Sequence, residues 1–136
     1  MTALTLTVLE GRFALCRLAA GSEAPPWIAR ADTFLTVSRT PTELSIVADE
    51  SAVPAETGAQ RGYRALRVEG PLPLELVGVL AAIATPLAAA GVPIFPIATY
   101  DTDYLLVPDA QLACAVSALR AAGHRVIDPS DSVRGS

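Results

Sequence analysis

Residues Ala98-Thr99-Tyr100-Asp101-Thr102-Asp103-Tyr104-Leu105-Leu106-Val107 place a polar turn between two apolar runs. A strand over 92–98, a turn over 99–103 and a returning strand over 104–107 are the pattern of a β-hairpin. The order of elements on either side of this hairpin decides the fold.

A helix is predicted before the hairpin. Four apolar residues recur there at the spacing of one buried helix face: Leu76, Leu80, Ile83 and Leu87. Gly91 supplies the stop signal. Pro86 lies inside the pattern and predicts a kink near Ala82, because proline donates no N–H and clashes with the carbonyl four residues back.

A second helix is predicted after the hairpin. It opens at Pro108-Asp109 and ends at Gly123, and a closing strand follows over 124–127. A strand over 63–69 precedes the first helix. The order over 63–127 is therefore β-α-β-β-α-β, which is the ferredoxin-like arrangement.

The N-terminal half shows weaker versions of the same elements. Runs over 5–9 and 12–18 around Gly11 predict one hairpin, and runs over 34–37 and 44–47 predict another. A polar stretch over 48–62 predicts a loop. We therefore predict an α+β fold of two ferredoxin-like units, with a degenerate unit over 1–61, a complete unit over 62–128 and a flexible tail over 129–136.

The composition excludes several classes of function. The net charge is −4, and the ten basic residues, all Arg, are scattered, which argues against a nucleic-acid partner. A chain without Lys forms neither a Schiff base nor a P-loop. Hydrophobic residues make up 51% of the chain, which favours association into a homodimer.

Reactive side chains are few and scattered. Cys16 and Cys114 have no CxxC spacing, so we expect no zinc ribbon and no disulfide framework. The N-terminus has no signal-peptide pattern and the chain has no uninterrupted membrane span, so a cytoplasmic location is expected. We expect His124 to occupy a helix C-terminus. No catalytic triad, metal site or cofactor site is predicted, and we interpret the protein as a non-enzyme.

Four runs resemble the ACT-domain superfamily, in particular paired-ACT proteins such as aspartate-kinase regulatory domains and cytosolic arginine sensors. They are Val68-Glu69-Gly70-Pro71-Leu72, Val77-Gly78-Val79-Leu80, Pro86-Leu87-Ala88-Ala89-Ala90-Gly91-Val92 and, above all, the hairpin run from Ala98 to Val107. The resemblance covers residues 36 to about 127. It implies an amino-acid ligand held between two ACT units, at the start of the first helix and at the hairpin turn.

The candidate ligand-binding residues combine these two places with one hydroxyl from the first half: Ser38, Leu76, Val77, Gly78, Val79, Ala98, Thr99, Tyr100, Asp101, Thr102 and Asp103. Free N–H groups at a helix N-terminus favour a carboxylate. A carboxylate at Asp101 or Asp103 would accept hydrogen bonds from an ammonium group.

Each candidate has a simpler interpretation. Asp101 and Asp103 are also typical residues for stabilising a turn, and Gly78 also suits close packing of a helix on a sheet. The whole protein is alternatively a ligand-free ACT module that dimerises or docks onto a regulated partner protein. The sequence leaves both alternatives open.

Overall fold

The computed structural model describes residues 3–73 and 76–134. It forms two compact units, one of residues 1–10 with 64–136 and the other of residues 11–63. We call them the larger and the smaller unit. The predicted boundary between residues 61 and 62 falls inside a strand, Ala59–Val68. That residues 1–61 are a degenerate ACT copy stays a prediction.

The described residues contain eight strands, three α-helices and three short 3-10 turns. The strands are β1 (Thr5–Val8), β2 (Phe13–Ala19), β3 (Leu35–Arg39), β4 (Glu43–Asp49), β5 (Ala59–Val68), β6 (Phe95–Ala98), β7 (Asp103–Pro108) and β8 (Arg125–Ile127). The helices are α1 (Val79–Ala89), α2 (Leu112–Ala121) and α3 (Pro129–Arg134), and the 3-10 turns are Pro26–Arg30, Glu50–Ala52 and Asp109–Gln111. The order β5-α1-β6-β7-α2-β8 confirms the predicted β-α-β-β-α-β arrangement and the α+β class.

The pairing of β1 differs from the prediction. A hairpin of β1 with β2 was expected, but β1 pairs antiparallel with β5, Leu6 opposite Val68, and parallel with β8, Leu6 opposite Val126. Leu6 and Val8 are buried in the core that α1 and α2 cover. A strand with alternating apolar residues needs a neighbouring strand to pair with and apolar side chains to pack against. For β1 both come from elements that are far away in the sequence.

The helix α1 begins three residues later than the predicted face. Its buried residues are Val79, Ala82, Ile83 and Leu87. Leu76 lies before the helix and Leu80 is 43% exposed, so assigning these two to the buried face was wrong. The sequence is compatible with two overlapping apolar helix faces, one containing Leu80 and the other Val79. In the structure the helix begins after Gly78 and buries the face that contains Val79.

Proline has no N–H, so one main-chain carbonyl in the preceding turn lacks its helical hydrogen bond. The helix continues through Pro86 because a side chain from another element donates a hydrogen bond to that carbonyl. That carbonyl belongs to Ala82, and it lies 2.9 Å from Nε2 of His124. The other ring nitrogen, Nδ1, accepts the Leu4 N–H at 3.1 Å. These partners select the neutral tautomer that carries its proton on Nε2. His124 closes the C-terminus of α2 as expected, since its N–H donates to the Leu119 carbonyl at 3.1 Å, and the residue is only 5% exposed.

We predict that His124 and Pro86 are energetically coupled. His124→Ala should destabilise the fold by about 3 kcal/mol, because two buried main-chain groups lose their partners. In a Pro86→Ala background, residue 86 has an N–H for the Ala82 carbonyl, so the same substitution should cost at least about 1 kcal/mol less. Urea unfolding of the wild type, both single variants and the double variant measures the coupling, and strictly additive effects would contradict it.

The smaller unit is an antiparallel sheet in the order β3-β4-β2-β5. The predicted β3–β4 hairpin is confirmed, with Val37 opposite Ile46. Trp27 and Ile28 pack half-buried against the core of this unit. The loop predicted over 48–62 is shorter than expected, because β4 extends to Asp49 and β5 starts at Ala59.

A buried carboxylate organises the chain before β3. Asp49 is 8% exposed, and its oxygens accept the N–H groups of Asp32 at 3.2 Å, Thr33 at 2.9 Å and Phe34 at 2.8 Å. Burial by itself would raise the pKa of Asp49, but these hydrogen bonds outweigh it and hold the pKa below its ordinary value. The carboxylate therefore stabilises the smaller unit in its charged form.

We predict a pH-dependent cost for Asp49→Asn. At neutral pH the variant should lose about 2–3 kcal/mol, because an amide offers one acceptor oxygen to three donors. The folded pKa lies below the unfolded value of about 3.9, so this contribution is complete above about pH 4 and is lost as the pH falls through the folded pKa. Urea unfolding across pH 7 to 2.5 checks the trend, with exposed Asp32→Asn as the control. A difference in unfolding free energy between the wild type and Asp49→Asn that stays constant as the pH falls would contradict this prediction.

The predicted flexible tail contains a helix. Over Pro129–Arg134 the structure forms α3, and Oδ1 of Asp128 accepts the N–H of Ser130 at 3.0 Å and its hydroxyl at 2.8 Å. Asx-type capping of this kind starts a helix, and proline suits the first helical position. No helix within 3–73 or 76–134 is long and apolar enough to cross a membrane.

Candidate functional site

A cleft of about 190 Å³ opens in the larger unit, between the β6–β7 hairpin and the segment that leads into α1. The cleft is lined by Leu72, Pro73, Leu76, Val79, Ala98, Thr99, Tyr100, Asp101, Thr102 and Asp103. We call it the hairpin cleft. It contains hydroxyl, carboxylate and main-chain groups beside apolar side chains.

The turn of the hairpin is held by its own threonines. The main-chain N–H and the hydroxyl of Thr99 both donate to the Thr102 carbonyl, at 2.9 and 3.0 Å. The Thr102 hydroxyl donates to the Val68 carbonyl at the end of β5, at 2.6 Å, and Thr102 is 5% exposed. The turn is thus anchored to the sheet, and its position is set before any ligand arrives.

Gly70 allows the segment after β5 to approach this turn. The Leu72 N–H donates to the Asp101 carbonyl at 2.7 Å. A Cβ placed on Gly70 would lie 3.1 Å from that carbonyl oxygen and 3.2 Å from the Thr102 Cβ. The role of Gly70 in this contact could not be predicted from the sequence, because a distant turn that packs on a glycine leaves no local signal.

We predict that Gly70→Ala disturbs the hairpin cleft. The added methyl group must push the Asp101 carbonyl or the Leu72 N–H away, and overpacking of this kind costs about 1–3 kcal/mol. Thermal unfolding should show this loss. Gly58→Ala is the matched control, because a Cβ at Gly58 meets nothing within 4 Å. Equal stability of the two variants would contradict the close approach.

The structure brings most of the candidate residues together. Leu76, Val79 and the run 98–103 line the hairpin cleft, whereas Ser38, Val77 and Gly78 do not. Ser38 is an exposed residue of β3 in the smaller unit. Gly78 caps α1 with a φ of +86°, and no atom of the described residues beyond its chain neighbours lies within 4 Å of its Cβ position. Its backbone conformation is therefore what requires glycine, and close helix–sheet packing is not.

The lining of the cleft includes the first residue of α1, Val79, and two aspartates of the hairpin, Asp101 and Asp103. The first helical hydrogen bond of α1 runs from the Ala82 N–H to the Gly78 carbonyl, so the N–H groups of residues 79–81 have no acceptor within the helix. At the hairpin, the Asp101 side chain is exposed and Asp103 is half-buried. A carboxylate would be stabilised at the helix start, and an ammonium group near the aspartates.

Four apolar side chains on the segments beside the cleft are substantially exposed: Leu76 at 48%, Val77 at 89%, Leu80 at 43% and Tyr100 at 81%. Leu76 and Tyr100 line the cleft, and Val77 and Leu80 are close in sequence to Leu76. We call these four the apolar rim. Exposed apolar patches are typical of surfaces that bind a ligand or another protein.

Other reactive groups lie apart from this cleft. Cys16 is buried in the smaller unit, where burial raises the pKa of its thiol despite the nearby Arg61 cation. Cys114 is exposed on α2. Both ring nitrogens of His124 are engaged by main-chain groups. In the parts of the chain that the structure describes, no three His, Cys, Asp or Glu side chains are grouped to hold a metal ion.

Comparison with known families finds two matches. The ACT-domain family model matches residues 58–121, and a second model, of an N-terminal domain, matches residues 11–56. Both the hairpin cleft and the helix that leads from it fall within the ACT match. The resemblance to ACT proteins noted in the sequence is thereby confirmed.

Known relatives extend this match. The cytosolic arginine sensor for mTORC1 subunit 1 of Rattus norvegicus is 37% identical over 59 residues, which cover 43% of this chain and 18% of that protein. The chain thus spans about a fifth of the curated relative. A crystal structure of an Agrobacterium tumefaciens protein is 29% identical with a TM-score of 0.87, covering 94% of this chain and 95% of that one. The regulatory subunit of aspartate kinase from Thermus thermophilus is 16% identical with a TM-score of 0.55, covering 83% and 93%, and shares the fold.

Proposed function

We propose that this protein, whose residues 58–121 match the ACT-domain family model, is a regulatory module that binds a small molecule, in first place an amino acid, in the hairpin cleft. The observation that supports this most is the pairing of a helix start with Asp101 and Asp103 across one cleft. The α-carboxylate of the ligand would meet the first N–H groups of α1. Its α-ammonium group would meet the aspartates.

The size of the cleft supports a ligand of this class. Its volume of about 190 Å³ is below the ~300–1,000 Å³ of pockets for drug-sized ligands. A metabolite with the two charged groups of an amino acid and a short side chain is commensurate with such a space. The identity of the side chain depends on groups that would cover the open mouth.

The apolar rim supports a covering surface from a second ACT unit. Exposed side chains such as Val77 and Tyr100 would be withdrawn from water if a second copy packed there, so we include a homodimer in the proposal. The relatives include an arginine sensor described as cytosolic and a regulatory subunit of a kinase. We accordingly propose a cytoplasmic, non-enzymatic protein that regulates a separate partner protein.

We predict that one amino acid or a small group of them raises the melting temperature by several degrees. A ligand at about 100 times its dissociation constant adds about 2.7 kcal/mol to native stability. A thermal-shift screen of ligand-free protein against the proteinogenic amino acids measures this. Asp101→Asn should weaken the response about tenfold or more in affinity, through loss of a charge-assisted bond, while exposed Glu56→Gln should not. Unchanged binding by Asp101→Asn would contradict the site.

A ligand-free docking module is the second candidate function. The observation that favours it is the apolar rim, which needs only a protein surface to cover it. In that case no amino acid would shift the melting temperature. Val77→Asp would still dissociate the dimer in sedimentation velocity, because a charge would be buried at the contact.

A further inference from the structure

The strand β3 forms an open edge of the sheet in the smaller unit. In the part of the chain that the structure describes, β3 pairs with β4 and with no other strand. Its Leu35 and Val37 side chains are 40% and 41% exposed. They stand opposite the buried core residues Ala48 and Ile46, so they lie on the face of the sheet that carries the apolar core of this unit. The edge strand therefore leaves apolar side chains of its own core face uncovered.

The hydrogen-bond register determines which main-chain groups of β3 point outward. The Thr40 N–H donates to the Glu43 carbonyl at 2.9 Å, so these two residues form a hydrogen-bonded pair. Such pairs alternate with non-hydrogen-bonded pairs along an antiparallel ladder, and the main-chain groups of residues 36 and 38 therefore face β4. The N–H and C=O groups that face away from β4 belong to Leu35, Val37 and Arg39.

This open edge is bounded on both sides. Before it, the N–H of Thr33 donates to Oδ2 of Asp49 at 2.9 Å. After it, Pro41 has no N–H to offer. The outward groups that remain are the N–H and C=O of three residues, and they are symmetric about Val37. A second β3 strand that runs antiparallel, with its Val37 opposite this one, satisfies all of these groups at once.

The other sheet edges are protected against such pairing. In the larger unit, the Thr99 N–H donates to the Thr102 carbonyl, and the resulting alternation turns the main chain of Pro96 outward on β6. Proline offers no donor there, which is a common protection against association of edges. The edge strand β8 has three residues. By contrast, β3 has five residues and no proline, so its edge is open to a partner.

The side chains of β3 fit a second copy of the same strand. In the register centred on Val37, the two Val37 side chains are neighbours, and Leu35 lies beside the methylene stem of Arg39 of the second copy. Antiparallel pairing places the two Arg39 charges at opposite ends of the contact. It also directs each of them toward the end of β3 that follows the exposed Asp32 of the other copy. Parallel pairing would bring the two arginines together.

We propose that β3 is a self-association edge, at which two copies of this protein join the sheets of their smaller units through antiparallel β3 strands centred on Val37. An edge of this length buries much less than the ~1,000 Å² of a stable interface, so the association is weak and depends on concentration. It is separate from the contact proposed at the apolar rim and from the hairpin cleft.

The test measures amide hydrogen exchange by NMR in the chain that carries Val77→Asp, which removes the contact proposed at the apolar rim. Between about 20 µM and about 1 mM protein, the range of weak interfaces, protection of the outward amides should rise about twofold or more. These amides belong to Leu35, Val37 and Arg39. The Thr36 amide faces β4 and should be equally protected at both concentrations. Outward amides whose exchange does not depend on concentration would overturn the proposal.

Two substitutions at one position separate pairing from folding. Val37→Pro removes an N–H that has no partner among the described residues, so the fold should persist while the concentration-dependent protection of Leu35 and Arg39 is lost. Val37→Lys keeps the N–H but places two like charges opposite each other, and should also abolish this protection. Ile127→Lys is the matched control, because Ile127 is 40% exposed on β8. Unchanged protection in both Val37 variants would overturn the site.

The register is tested by cross-linking. In the proposed pairing Thr36 of one copy lies opposite Ser38 of the other, at a non-hydrogen-bonded position where Cα atoms are about 4.5 Å apart. In a Cys114→Ser background, a mixture of Thr36→Cys and Ser38→Cys chains with oxidised glutathione should form a disulfide-linked dimer. In either variant alone the cysteines are not opposite each other, so cross-linking should be about tenfold slower or more. Equal rates in the mixture and in the single variants would overturn the pairing.

Discussion

The ring of His124, held between the Leu4 N–H and the Ala82 carbonyl, is the interaction on which the larger unit depends. Pro86 removes the donor that the Ala82 carbonyl would find in a regular helix, and this carbonyl lies in the core, where it cannot turn to water. One nitrogen of His124 supplies the missing donor. The other aligns the chain before β1 so that β1 lies between β5 and β8 and completes the core.

The hairpin cleft depends in turn on main-chain contacts at the end of β5. The Thr102 hydroxyl binds the Val68 carbonyl, and Gly70 leaves room for the turn. These contacts of the cleft are made by uncharged groups, and among the described residues that line it the charged side chains are Asp101 and Asp103. Preorganised groups of this kind bind a ligand without a further ordering cost.

Much of the fold could be predicted from local patterns. The polar run 99–103 between two apolar runs indicates a hairpin wherever it occurs, and Gly91 and Gly123 follow helix ends as expected. The candidate site was predicted in part for the same reason, since the hairpin turn is local. The role of Gly70 was missed, because it arises from packing against residues far away in the chain.

The sequence by itself determined the order β-α-β-β-α-β and the hairpin, because propensity, glycine and proline signals act over a few residues, and its motifs indicated the resemblance to ACT proteins. Only the tertiary structure decided the partners of β1, the buried face of α1 and the inward role of His124. Alternation shows that a strand has an apolar face but names no neighbour. Which strand pairs with which, and which side chain bonds which main-chain group, depends on residues far apart in the sequence. These partners are therefore determined only when the chain folds.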